Sequence, residues 1–165
     1  MQKRSIKEEN REMSEEFDKA MEELQTSIIA DARKVYSEEV INRWLKPKYV
    51  GEMENPQGYG KVTGPCGDTV NIFLRIDNDK IIDARFLTDG CGTTIAAGSM
   101  ACELAIGKTV REAFKITKEV ILGQLGGLPE ESTHCALLAS NTLREALTDY
   151  LSSRNEPWRK LYKKH

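Results

Sequence analysis

Thr69-Val70-Asn71-Ile72-Phe73-Leu74-Arg75-Ile76-Asp77, followed by Asn78-Asp79 and the run 81–88, decides the fold. Val70, Ile72, Leu74 and Ile76 recur at a period of two, the repeat of a strand with one buried face. Asp77-Asn78-Asp79 is a turn signal, because Asn and Asp accept left-handed backbone and bond their own chain. Residues 81–88 then return as the antiparallel partner, and the short run 59–63 supplies a third strand. Asn71, Arg75, Asp83 and Arg85 mark a polar face opposite the apolar one.

Helical signals surround this sheet. Residues 1–46 contain neither Gly nor Pro, and Met13, Phe17, Met21, Leu24, Ile28, Ala32 and Val35 recur at steps of three and four. That pattern predicts a long amphipathic helix. Ser37 offers a cap for a second helix through Val40, Ile41, Trp44 and Leu45, stopped near Pro47. The stretch 46–60 reads as an extended loop and the mobile part of the domain. Residues 93–106 are small and apolar nearly all round, so this helix is expected to lie buried against the sheet, closed by Gly107. Thr109 and Glu112 match a capping box for the next helix. Thr117 starts another that ends at Gly126-Gly127, and 133–151 forms a final amphipathic helix. The tail from Arg154 is basic, with Trp158, Leu161 and Tyr162 suggesting one more turn. The class is α+β: a small antiparallel sheet of about three strands, packed against several helices, with an added long N-terminal helix. Three regions follow: a helical extension at 1–34, a domain at 35–152 and a basic tail at 153–165.

Chemistry concentrates in three pieces flanking the hairpin: Gly64-Pro65-Cys66-Gly67-Asp68, Gly90-Cys91-Gly92 and His134-Cys135. The cysteines stand 25 and 44 residues apart, too far for a zinc-finger knuckle, so folding must gather them. Cys91 and Cys135 each fall where a helix is about to start, and the N-terminal dipole is expected to lower both thiol pKa values. Asp68 either caps its turn or adds a hard oxygen ligand. His134, at a helix start, is expected to stay neutral and able to ligate. A Cys/His nucleophile pair is set aside because neighbours on a helix diverge by about 100°. Cys102, mid-helix among Ala101 and Leu104, reads as a small buried hydrophobe. Thiols with an oxygen and a nitrogen donor suit zinc or an iron–sulfur cluster, and the residues alone leave both open.

Cys-Gly-Asp, Gly-Cys-Gly and His-Cys in this order, with Tyr36-Ser37-Glu38-Glu39-Val40-Ile41 before them and Ile82-Asp83-Ala84-Arg85-Phe86 between, resemble the IscU and NifU N-terminal-domain family of iron–sulfur scaffolds. The resemblance spans about 35–151. It implies a scaffold rather than a turnover enzyme: sulfur received as persulfide from a cysteine desulfurase, iron collected, a [2Fe–2S] cluster built and passed to acceptor apo-proteins. It implies Cys66, Cys91 and Cys135 as ligands, Cys135 as persulfide acceptor, and Asp68 and His134 sharing the remaining coordination. Asp68 would make the cluster labile, in keeping with carboxylate being a weaker partner than thiolate for such a cluster. One departure is Leu128-Pro129-Glu130-Glu131-Ser132, where the bacterial scaffolds carry Leu-Pro-Pro-Val-Lys for a dedicated chaperone; that partnership is not expected here. The zinc-binding SufU branch has an insertion between its second and third cysteines and lacks the histidine, features this chain does not share. A zinc-bound activator of a desulfurase and an adaptor with a structural zinc are the rival readings.

Composition fits this frame. The chain has 165 residues, 39% hydrophobic and 30% charged, enough for one domain with a core. A formal charge of −2 gives no electrostatic case for nucleic acid. No apolar run nears the roughly 18 residues that span a bilayer. Residues 1–34 hold nine acidic and seven basic side chains, unlike a secretory signal or an acid-poor transit peptide, so a cytoplasmic setting with reduced thiols is expected. The first helix's stripe can fold back, pair with a second copy as a homodimer, or await a partner.

Overall fold

The structure, a computed structural model, describes residues 6–156 and Trp158. The chain divides between Val35 and Tyr36 into two units. The first holds a single helix, α1 (Ile6–Ala32), with no buried residue. Charged side chains support it along its length, as in the Arg11–Glu15 pair at 3.3 Å. Its last turn tightens into i→i+3 bonds, Lys34 to Asp31 and Val35 to Ala32, so Val35 lies past the helix.

The second unit is built on a three-stranded antiparallel sheet in chain order: β1 (Gly58–Thr63), β2 (Thr69–Asp77) and β3 (Lys80–Thr88). Ile72 lies opposite Gly60 on one side and Phe86 on the other. Val70, Ile72 and Leu74 are fully buried, as their alternation requires. Asn78 and Asp79 both take positive φ (48° and 63°), the turn whose twist matches that of a hairpin. One feature escaped the pattern: the register slips between Arg75 and Ile76, so Ile82 is extruded as an exposed bulge. Phe73 also shares the polar face, its ring 5.2 Å from that of Tyr59.

Helices cover the other face: α2 (Glu38–Leu45), α3 (Gly92–Ala105), α4 (Val110–Ala113), α5 (Lys118–Leu125) and α6 (Thr133–Asn155), the last entered through a 3-10 turn at Glu130–Ser132. Ser37 Oγ accepts the Val40 N–H at 3.2 Å, and Thr109 and Glu112 close the capping box in both directions. Gly107 and Gly126 end their helices at positive φ. α3 packs on β3 and α6 on β1 and β2. The seating of α6 is close: a Cβ on Gly60 would stand 2.4 Å from the Thr142 carbonyl oxygen. α6 runs to Asn155 rather than 151, because nothing in the sequence breaks it before Pro157. Trp158 is exposed, and Leu161 and Tyr162 lie outside the described residues.

Two further contacts position the site. The stretch 46–60, read as an extended loop, meets the sheet edge at Tyr49 and Gly51: Phe86 N–H donates to the Tyr49 carbonyl at 2.9 Å and Gly51 N–H to the Phe86 carbonyl at 3.0 Å. Arg43, buried in α2, donates to Glu39 at 2.7 Å, to Ser99 Oγ at 3.1 Å and to Glu103, bracing α2 against α3. No described helix is long and apolar enough to cross a membrane.

Candidate metal centre

Each of the three cysteine pieces is shaped by local chemistry. Gly67 N–H donates to the Gly64 carbonyl at 3.0 Å, making a β-turn with Pro65 at its second position and Cys66 exposed at its third. Gly67 follows at φ +89°, and Gly64 N–H closes the loop on the Asp68 carbonyl at 2.8 Å. The second piece is latched to the first. Asp89 Oδ1 accepts the Thr69 N–H at 2.7 Å, Thr88 Oγ1 donates to the Thr69 carbonyl at 2.7 Å, and Gly90 N–H donates to Thr88 Oγ1 at 3.0 Å. The start of β2 and the end of β3 therefore carry Asp68 and Cys91 side by side.

Cys91 is the N-cap of α3, with extended backbone and an exposed side chain. Its glycine neighbours are required by space. A Cβ on Gly90 would lie 2.7 Å from both Asp68 Oδ2 and Thr94 Cβ. A Cβ on Gly92 would lie 2.5 Å from the indole of Trp44, which α2 lays over this loop, its plane 80° from that of the Tyr36 ring.

The third piece arrives on the first turn of α6. Cys135 is 1% exposed, and its sulfur is 3.4 Å from both Thr93 Oγ1 and Thr94 Oγ1. Thr93 Oγ1 is also 3.1 Å from Cys91 Sγ, so one hydroxyl joins the two sulfurs. Thr94 Oγ1 donates to Asp68 Oδ2 at 2.9 Å. His134 Nε2 reaches back to within 3.7 Å of Cys135 Sγ, although neighbours on a helix were expected to diverge. Cys91, Cys135, Asp68 and His134 thus meet at one end of the sheet, with Cys66 close enough for its charge to act on Cys135.

The expectation that both helix-start thiols are acidified holds for one of them. Burial pushes the Cys91 thiol up, but hydrogen bonds from Thr93 and Thr94, hydroxyl and backbone alike, outweigh it and leave the thiol below its usual value. Cys135 is raised instead. Burial is the main cause, the hydroxyls of Thr93 and Thr94 offset part of it, and the charges of Cys91 and Cys66 add to it. The 3-10 turn starts the coil early, so Cys135 sits inside the helix and under its neighbours rather than at an open cap. Cys102 is fully buried and its thiol strongly raised by burial, with Asp83 adding to it.

Thr93, Thr94 and Trp44 are the contributors that sequence reasoning passed over. The available signal was two hydroxyl side chains directly after a glycine-flanked cysteine, a pattern read only as a helix start. All four cysteines are free. Among the described residues, no three Cys, His, Asp or Glu side chains already form a cage for a metal. What the structure provides is a set of soft sulfur donors with one oxygen and one nitrogen donor, the chemistry that suits zinc or iron–sulfur cargo.

The model of the NifU-like N-terminal domain matches residues 35–157. The chain belongs to that family. It is 43% identical over 117 residues to the iron–sulfur cluster assembly scaffold protein IscU 1 of Archaeoglobus fulgidus, covering 70% of this chain and 76% of that one. Against the IscU scaffold protein of Aquifex aeolicus the identity is 40% over 119 residues, with the same coverage of each chain. The crystal structure of a protein from Fervidobacterium islandicum AW-1, described as an iron–sulfur cluster assembly scaffold for the SUF system, superposes with a TM-score of 0.55 at 28% identity, covering 68% of this chain and 96% of that one. The α+β architecture is therefore the family's own. Neighbours in the family include a mitochondrial assembly protein of Yarrowia lipolytica, 38% identical over 131 residues, covering 76% of this chain and 72% of that one.

Proposed function

We infer that this chain is a scaffold on which an iron–sulfur cluster is assembled and from which it is handed on. The observation that carries this reading is the meeting of Cys91, Cys135, Asp68 and His134 around the paired hydroxyls of Thr93 and Thr94, with Cys66 on the adjoining turn. Such a donor set is soft enough to hold iron and sulfide. It is also open enough to release them, because one donor is a carboxylate on a glycine-bearing loop. The cargo proposed is a [2Fe–2S] cluster held by Cys66, Cys91 and Cys135, with Asp68 and His134 sharing the remaining coordination.

The partners proposed are a cysteine desulfurase and apo-protein acceptors, in the cytoplasm, where free thiols persist. Sulfur would arrive when a thiolate of this chain attacks the outer sulfur of the desulfurase persulfide. A new S–S bond forms, the donor's S–S bond breaks, and the donor cysteine leaves as thiolate. Reduction of that sulfur to sulfide then takes two electrons from an external reductant. Cys135 is the proposed acceptor, with His134 beside it. Its burial means that desulfurase docking must draw its sulfur away from Thr93 and Thr94. Cys91, exposed and acidified, is the competitor. After incubation with desulfurase and cysteine, mass spectrometry should find the added sulfur on Cys135, and sulfur mainly on Cys91 would reverse the assignment.

The test of the function itself is anaerobic reconstitution with iron and sulfide. Iron and acid-labile sulfide should bind in equal amounts, with visible charge-transfer absorption. Protein that takes up zinc alone and stays colourless would favour the activator reading instead.

A further inference from the structure

Among the described residues, Thr94 is the one fully buried polar side chain that touches both an oxygen and a sulfur of the site. Its hydroxyl has a single proton. That proton is directed at Asp68 Oδ2 at 2.9 Å and at Cys135 Sγ at 3.4 Å, with Cys91 Sγ a third neighbour at 3.8 Å. The carboxylate and the sulfur compete for it, since a shared proton serves each less well than an undivided one. The threonine itself is held by its place in the first turn of α3 and by a β-branched side chain with few rotamers. Asp68 is the movable partner, half-buried on a loop whose Gly67 stands at φ +89° with open space around it. The bond has room to form only because residue 90 is glycine, whose Cβ would collide with both Asp68 Oδ2 and the Thr94 side chain.

We propose that Thr94 is a latch for Asp68, a positioning residue whose hydroxyl holds the carboxylate when the site is empty and passes to the Cys135 sulfur when Asp68 turns to the cargo. The proposal rests on the scaffold reading above and adds to it a control on ligand exchange. The bond to Thr94 must break before Asp68 ligates, and that cost weakens the hold on cargo, so removing the hydroxyl should tighten it.

Cobalt(II) is the probe, because its visible bands report a tetrahedral thiolate site without iron chemistry or transfer. Thr94→Val keeps the shape and removes the hydroxyl, and Thr94→Ser keeps the hydroxyl. Titrated anaerobically with cobalt(II), full-length Thr94→Val should bind up to about tenfold more tightly than wild type, the scale of one charge-assisted hydrogen bond. Thr94→Ser should return to the wild-type affinity. The difference should vanish when Thr94→Val is made in an Asp68→Ala background, which a purely structural role of Thr94 would not produce. Equal affinities of wild type and Thr94→Val, weaker binding by Thr94→Val, or a difference that survives Asp68→Ala overturns the latch and leaves the scaffold reading standing. Failure of the wild type to bind cobalt(II) overturns both. Thr94→Ala serves the same comparison if the valine variant does not fold.

Discussion

Ten of the fourteen residues of α3 are buried, and none of the twenty-seven of α1 is. Composition explains the contrast: α3 carries one charged side chain, Glu103, whereas α1 carries nine acids and three bases. Within α3, surroundings decide what a given residue type does. Cys91 at its start is an exposed, acidified thiol, and Cys102 in its third turn is a sealed one. A buried helix converts position into chemistry, and an exposed one keeps its apolar atoms available for something else.

The largest effect expected from this contrast is in thiol reactivity. Treated with iodoacetamide at neutral pH and mapped by peptide mass, the native protein should lose Cys91 early. Cys102 should react only through unfolding, several orders of magnitude more slowly, since both the thiolate and access to it are missing. Comparable rates at the two cysteines would mean that α3 opens far more readily than its burial implies.

A smaller effect is expected in stability. Cys102→Ser places a hydroxyl in an apolar setting and should cost about 1–3 kcal/mol. Met21→Ser, on the exposed stripe of α1, should change the stability of the single chain, measured at a dilution that prevents pairing, by no more than about 0.5 kcal/mol. Urea unfolding followed by circular dichroism measures both. A large loss from Met21→Ser at that dilution would show that the stripe is covered even in the single chain.

Much of the hairpin was legible because alternation at Val70, Ile72, Leu74 and Ile76 is a local property with one geometric solution. The caps at Ser37 and Thr109 were legible for the same reason. The bulge at Ile82 was not, since it arises from pairing across strands and leaves no periodic trace. The site was legible in its donors and illegible in its surroundings. Cys66, Asp68, Cys91, His134 and Cys135 stand out by type and motif, but Thr93 and Thr94 acquire meaning only when α6 brings Cys135 against them. The acidity expected for Cys135 failed because a dipole argument takes account of the helix and not of what packs over it. Arg43 is the same lesson in the core: nothing local marks an arginine that will be buried between Glu39, Ser99 and Glu103.

The smallest effect on the site, and the sharpest test of what α1 is for, concerns self-association. Phe17, Met21, Leu24 and Ile28 follow steps of 4, 3 and 4, the spacing of a coiled-coil seam, and all four are exposed. Glu8-Glu9, Glu15-Glu16 and Glu22-Glu23 recur every seven residues, and in that heptad they fall on the outer positions. Met13, Ala20, Gln25 and Ser27 flank the seam together with Arg11 and Asp18, so a second copy can approach without setting glutamate against glutamate. Each large side chain buried in such a pair contributes about 1.5–3 kcal/mol, enough in sum to offset the cost of association. The full chain, 18.6 kDa per copy, is therefore expected to scatter light as a dimer. Leu24→Glu combined with Ile28→Glu should halve that mass, as should a chain beginning at Lys34, while the cobalt(II) affinity of the site stays unchanged. If the full and shortened chains share one mass, whether monomer or dimer, α1 is not the pairing element and its stripe belongs to another partner.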